Sequence, residues 1–87
     1  MSARVRRTRW ARHPLKSGGE AWYLSIAALH VVIYRSRVYG EWWCSWHVYS
    51  RGERPRMRGD ELARGDTQRL PVAKRRAELV ATALGGD

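Results

Sequence analysis

The run Glu41–Arg51 holds the side chains best suited to recognition or chemistry, because it carries three of the five tryptophans with a histidine, a tyrosine and an arginine. In a strand, successive side chains point to opposite faces of the sheet. The first face would carry Trp42, Cys44, Trp46 and Val48, and the second would carry Trp43, Ser45, His47 and Tyr49. We expect the first face to lie in the core and the second to form a surface that contacts a partner.

Aromatic rings on an open sheet can stack on unpaired bases, and arginines beside them can hold the phosphates. The candidate binding residues of this surface are Tyr23, Arg35, Arg37, Trp43, His47 and Tyr49. The same face could instead meet a partner protein or a second subunit, since a large exposed apolar ring marks an interface. A third interpretation places these rings in the core.

The first nine residues form a separate basic segment with almost nothing to bury. Its arginines are Arg4, Arg6, Arg7 and Arg9. Flexible arms of this kind contact phosphates or enter a minor groove, so residues 1–9 are predicted to be a flexible arm that binds nucleic acid. The alternative is a solvated tail whose arginines reflect genome composition.

Length and charge narrow the class of protein. A chain of 87 residues forms one domain, here residues 10–87. Its net charge of +9 favours anionic partners such as nucleic acid, acidic proteins or anionic lipid. Arginine supplies 15 of the 17 basic residues, and asparagine and phenylalanine do not occur. This bias indicates a GC-rich genome, which by itself raises the arginine content.

No set of residues has the spacing of a catalytic or metal site. The candidate metal ligands His13, His30, Cys44 and His47 lack the usual finger spacing. No motif accompanies the cysteine that would orient a histidine toward it. We therefore expect a non-enzymatic protein with no metal and no cofactor. A lone cysteine fits a reducing cytoplasm, and the apolar stretch 21–34 is too short to cross a membrane.

The strands that must position the aromatic run precede it. Residues 21–37 alternate and are rich in β-branched and aromatic types, with a reversal expected near 28–30 and a turn at 39–41. The sequence thus predicts an α+β fold, a three-stranded antiparallel meander that gains a fourth strand if residues 8–12 join it. A long polar loop is expected at 51–69.

One helix should close the domain. Pro71 suits the first helical position and Gly85-Gly86 is a stop signal, so a helix is predicted over 70–84, packed on the sheet. Its flank at Val72, Leu79 and Ala83 could alternatively support a homodimer.

The layout resembles the small accessory proteins of actinobacterial phages and prophages. The residues that carry the resemblance are Gly18-Gly19-Glu20-Ala21-Trp22, the tryptophan-rich strand and Ala73-Lys74-Arg75-Arg76-Ala77-Glu78. The chain is also similar to the arm-site DNA-binding domains of phage integrases, in which a three-stranded sheet enters the major groove and a C-terminal helix backs it.

Together these observations predict a non-enzymatic phage-type protein in the cytoplasm of a bacterial host. Its expected partner is DNA or RNA, bound by the aromatic sheet face and the basic arm. The alternative is a modulator that binds a bacterial host protein through the same face.

Overall fold

A computed structural model describes residues 9–51 and 58–85 as one antiparallel sheet and one helix. The elements are β1 (Ala11–Pro14), β2 (Glu20–Ile26), β3 (Leu29–Val38), β4 (Glu41–Arg51), β5 (Arg58–Thr67) and α1 (Leu70–Gly85). Neighbouring strands pair in chain order, so the sheet is a five-stranded meander. The expected α+β meander with one C-terminal helix is confirmed, with five strands in place of three or four.

Tight two-residue turns connect the central strands. Ala27–Ala28 joins β2 to β3, and Tyr39–Gly40 joins β3 to β4. Ala27, Tyr39 and Gly40 have φ angles of 52°, 51° and 80°, the left-handed conformation that hairpin turns require for the normal strand twist. The turn expected at residues 39–41 lies where it was predicted, and the other begins one residue earlier than predicted.

The segment 51–69 is not the long loop that the sequence predicts. Residues 58–67 form β5, which pairs antiparallel with β4 at the edge of the sheet. The prediction is wrong because β5 is charged and contains two glycines, a composition that favours loops in general. An edge strand tolerates such residues, since one of its edges remains in water.

The core lies between the sheet and α1. Three alanines spaced four residues apart, Ala73, Ala77 and Ala81, are fully buried on the helix, and their small side chains allow its backbone to approach the sheet. From the sheet, the buried cluster contains Leu24, Ile26, Leu29, Val31, Ile33, Cys44, Trp46 and Val48. The prediction that the helix packs on the sheet is confirmed, and the helix covers the side that carries Trp22, Leu24 and Ile26.

Gly65 makes room for the largest ring in this core. It pairs with Trp46 across β4 and β5, and a Cβ atom at position 65 would lie 2.5 Å from Cζ2 of the indole. The ring therefore covers the backbone of the edge strand. A glycine that weakens a strand is here required by a cross-strand contact.

The indole rings of Trp10 and Trp22 contact side chains of α1 beside the core. The indole of Trp10 donates a hydrogen bond of 2.8 Å to Glu78 of α1. The Lys74 ammonium lies 3.7 Å from the ring centroid of Trp22, within the range of a cation–π contact. These contacts hold Trp10, which precedes β1, and Trp22 of β2 against the helix.

Candidate nucleic-acid interface

Strand alternation and register divide the sheet into a helix-covered face and a second face, here called the open face, on which no described helix or strand packs. The aromatic and histidine side chains of the open face are His13, Tyr23, His30, Tyr34, Trp43, His47 and Tyr49. All three histidines of the chain and three of its four tyrosines thus lie on one surface.

Five of the seven rings of the open face contact one another, in two separate groups. His47 lies parallel to Tyr49, with centroids 5.9 Å apart and planes at 16°, and meets Tyr34 edge-on at 5.7 Å. At the β1 edge, His13 and Tyr23 form a T-shaped pair at 5.0 Å. Such contacts hold rings in defined orientations, so the face presents an ordered array of aromatic surfaces.

Two small side chains of the open face, those of Ala21 and Val32, lie beneath its larger rings and are buried. Ala21 is 0% and Val32 is 1% exposed, although neither contacts α1 from this side of the sheet. Ala21 pairs with Tyr34, and Val32 lies between Tyr23 and His47 in the register. The small residues let the larger rings beside them lie close to the sheet.

Polar groups further orient His47, at the centre of the array. Its Nδ1 lies 2.9 Å from a carboxylate oxygen of Glu61, and its Nε2 lies 3.3 Å from the hydroxyl of Ser45. Arg64 pairs with His47 in the register, and Asp66 pairs with Ser45. Polar residues of β5 therefore border the rings.

Arg35 and Arg37 do not belong to this face, and their predicted place beside Trp43 and His47 is wrong. The two-residue turn pairs Arg37 with Trp42, and the register then pairs Arg35 with Cys44. Both arginines therefore point to the opposite side of the sheet. There the Arg35 guanidinium lies 4.5 Å and that of Arg37 lies 5.5 Å from the ring centroid of Trp42.

Arg35 is also part of an ion cluster around the buried Glu20. The carboxylate lies 3.4 Å from both Arg12 and Arg35, and it accepts a hydrogen bond from the indole of Trp22. Burial alone raises the pKa of Glu20, but the hydrogen bonds from Trp22 and Arg12 and the two guanidinium charges outweigh it and lower the pKa. Glu20 is thus held as an anion.

The hairpin at residues 36–43 extends past its neighbours. The last β2 pairing with β3 is Glu20 with Arg35, and β5 pairing with β4 ends at Cys44 with Thr67. Beyond these points only β3 and β4 continue, as a two-stranded ribbon. Its exposed apolar side chains are Val38, Tyr39 and Trp43.

Of the candidate binding residues, the structure brings Tyr23, Trp43, His47 and Tyr49 onto the open face. Arg9 is exposed just before β1, whereas Arg4, Arg6 and Arg7 lie outside the described residues. The sequence reasoning missed four residues of this face, His13, His30, Tyr34 and Arg64. Alternation along β1 and β3 could have identified the first three, and Arg64 was missed with its strand.

Residues 9–51 and 58–85 contain no cluster of metal ligands, and the cysteine among them is buried. No group of three or more histidine, cysteine, aspartate or glutamate side chains within 9–51 and 58–85 could hold a metal ion. Cys44 is fully buried, and this desolvation raises the pKa of its thiol, which disfavours the nucleophilic thiolate.

Comparison with protein-family models, with curated proteins and with solved structures finds no match to this chain. In the part of the chain that the structure describes, α1 is neither long nor apolar enough to cross a membrane.

Proposed function

We propose that the open face binds single-stranded nucleic acid by stacking unpaired bases on its rings. The observation that supports this most strongly is the array of tyrosine, histidine and tryptophan rings on the side of the sheet opposite α1. One common RNA-binding module stacks two or three bases on aromatic residues of a four-stranded sheet in this way. The chain's charge of +9 supplies the long-range attraction for a polyanion.

The rings are partly exposed and so retain surface for a ligand. Trp43 is 37% exposed, and Tyr23, Tyr34, His47 and Tyr49 are half-buried. Residues two apart on a strand lie about 6.8 Å apart, so His47 and Tyr49 are neighbours along β4, whereas Trp43 lies about 13.6 Å from His47, beyond Ser45. Each stacked base would contribute about 1–3 kcal/mol, so two or three bases give useful affinity.

The three charged residues that β5 places on the open face, Glu61, Arg64 and Asp66, carry a net charge of −1, so bases and phosphates would be bound by different groups. Arg64 shares the face with Glu61 and Asp66, so a backbone running across its centre would gain little attraction. Arg9, Arg37 and the arm arginines at positions 4, 6 and 7 are the groups that would bind phosphates around its edge. Binding should therefore weaken steeply with salt.

Tyrosine substitutions provide the most direct test, because the chain contains a matched control. Tyr23→Ala and Tyr49→Ala each remove a ring of the open face, whereas Tyr39→Ala removes a fully exposed tyrosine at the ribbon turn. Fluorescence anisotropy with labelled dT15, U15 and a duplex would measure affinity at two salt concentrations. We expect the first two variants to bind single strands about 5- to 100-fold more weakly, with Tyr39→Ala within about twofold of the unaltered protein.

Circular dichroism confirms that each variant is folded before binding is compared. Absence of single-strand binding by the unaltered protein at low salt would exclude the function. Equal losses in all three variants would exclude stacking on the open face. The dT15 and U15 arms show whether DNA or RNA is preferred.

A second candidate, binding of a bacterial host protein, is favoured by the ribbon. Val38, Tyr39 and Trp43 are exposed close together at one end of the molecule, and exposed apolar patches mark protein interfaces. A pull-down from nuclease-treated bacterial lysate would compare the unaltered protein with Tyr39→Ala. A stoichiometric partner lost with Tyr39→Ala supports this candidate, and one retained by that variant contradicts it.

The class of protein and its cellular location are proposed on two further features. We propose a non-enzymatic phage-type protein acting in the bacterial cytoplasm, supported by the phage-like layout and by the single buried cysteine. A homodimer through Val72, Leu79 and Ala83 is the remaining alternative. Leu79 is 65% exposed on α1, and light scattering at high concentration would detect such a dimer.

A further inference from the structure

A groove lies at the base of the ribbon, where β2 ends before β3 does. Its volume is about 390 Å³, and it is lined by Ser17, Gly18, Gly19, Ser36, Arg37 and Trp42. The turn between β1 and β2 forms one wall, and the β3 edge beyond Arg35 forms the other. The groove therefore occupies the gap left in the sheet where β3 loses its β2 neighbour.

The turn wall has a defined shape. The amide of Leu15 donates to the carbonyl of Gly19 over 2.9 Å, and the amide of Gly18 donates back to Leu15 over 3.1 Å. Gly18 has a φ of 92°, and a Cβ atom at Gly19 would collide with the carbonyl oxygen of Arg35. Glycines are thus required for this turn to approach β3 so closely.

The polar groups of the groove match a phosphate. Two serines and one arginine are among the residues that line the space, and none of its lining residues carries a carboxylate. Nearby, Glu20 compensates Arg35, whereas Arg37 makes no ion pair with any residue in 9–51 and 58–85. The Trp42 ring supports the Arg37 guanidinium. Charge-assisted hydrogen bonds from such donors are the usual means of phosphate recognition.

The groove also adjoins the open face. Ser36 lines the groove and pairs with Trp43, the outermost ring of that face, while Arg37 lies on the other side of the sheet. A strand with a base on Trp43 could pass over the edge of β3 beyond Arg35, where β3 has no β2 neighbour, and place an adjoining phosphate beside Arg37. We infer that this groove binds one backbone phosphate of the single strand whose bases stack on the open face. This inference rests on the proposed function and adds Arg37, with Ser17 on the facing turn, as the phosphate site.

The test combines an arginine variant with removal of single phosphate charges. Arg37→Gln is compared with Arg76→Gln, which removes an exposed arginine of α1. The probes are labelled dT10 oligonucleotides in which each linkage in turn is an uncharged methylphosphonate. With the unaltered protein and Arg76→Gln, we expect one linkage whose neutralisation weakens binding about tenfold. Arg37→Gln should bind dT10 about tenfold more weakly and show no further loss at that linkage.

Salt dependence provides an independent readout. Loss of one phosphate contact should reduce the slope of log affinity against log salt by about 0.7 in Arg37→Gln alone. If Tyr49→Ala weakens binding but Arg37→Gln behaves like Arg76→Gln, the groove inference is overturned and the stacking function stands. If the unaltered protein binds no dT10, both are overturned.

Discussion

The contact between Gly65 and Trp46 allows a quantitative prediction about the edge of the core. Gly65→Ala would place a methyl group 2.5 Å from Cζ2 and 2.6 Å from Cε2 of the indole, whereas carbon atoms normally approach to about 3.5–4.0 Å. The ring, only 8% exposed, would have to shift by about 1 Å. Overpacking of this kind costs about 1–3 kcal/mol.

A smaller effect opposes this cost. Replacing glycine by alanine restricts the unfolded chain and stabilises a protein by about 0.4–1 kcal/mol where the backbone is compatible. We therefore expect Gly65→Ala to lower the free energy of unfolding by about 1–2 kcal/mol. For a chain of this size, each kcal/mol corresponds to about 4–8 °C in Tm.

A double-mutant cycle separates the clash from other effects of the substitution. Trp46→Phe removes the part of the indole that faces Gly65, and it also removes an Nε1 group that is buried without a hydrogen-bond partner in the described structure. In this background Gly65→Ala should be nearly neutral, giving a coupling energy of about 1–2 kcal/mol. Urea unfolding followed by far-ultraviolet circular dichroism measures all four proteins without depending on Trp46 fluorescence. A coupling energy below about 0.5 kcal/mol would refute the proposed clash.

Three further predictions concern the turn, the ion cluster and the thiol. Ala27→Gly should raise the free energy of unfolding by about 0.5–1 kcal/mol, since an alanine held in the left-handed backbone conformation costs about 1–2 kcal/mol. Ala28→Gly, at a residue without a positive φ, should not raise it, and thermal unfolding of the two variants compares them. Because folding lowers the pKa of Glu20, its carboxylate stabilises the protein above the unfolded-state pKa, and this stabilisation is lost as the pH falls through the folded-state pKa. Between pH 6 and pH 3, the free energy of unfolding measured with urea should therefore fall less in Glu20→Gln than in the unaltered protein. Cys44 should resist a thiol reagent at pH 8 until the protein is unfolded, and fast labelling of the native protein would contradict its burial.

The sequence predicted the elements whose residues agree with their environment. The β-branched run of β3 and the tryptophan-rich β4 face the core on alternate residues, so their pattern predicted both strands and the division of their faces. The helix could also be predicted, because Pro71 and Gly85 mark the two ends of its apolar stripe, and its three buried alanines recur every fourth residue. These local signals needed no knowledge of the rest of the fold.

The missed features depend on contacts between distant residues. β5 has little strand propensity of its own, and its place depends on Trp46 lying over Gly65. The faces of Arg35 and Arg37 follow from a turn of two residues at Tyr39–Gly40; an additional residue there would have reversed them relative to Trp43. The groove could not be foreseen, because it depends on β2 beginning only at Glu20, whereas β3 continues beyond the partner of Glu20, Arg35.

Because each strand pairs with the one before it, most of the sheet can form by adding neighbours in succession. Such a topology keeps strand pairing more local than a sheet with crossover connections would, which favours faster folding. One of the most distant contacts within residues 9–51 and 58–85 joins Trp10 to Glu78, which are 68 positions apart. We expect this contact to form late, so that weakening it accelerates unfolding and leaves the folding rate almost unchanged.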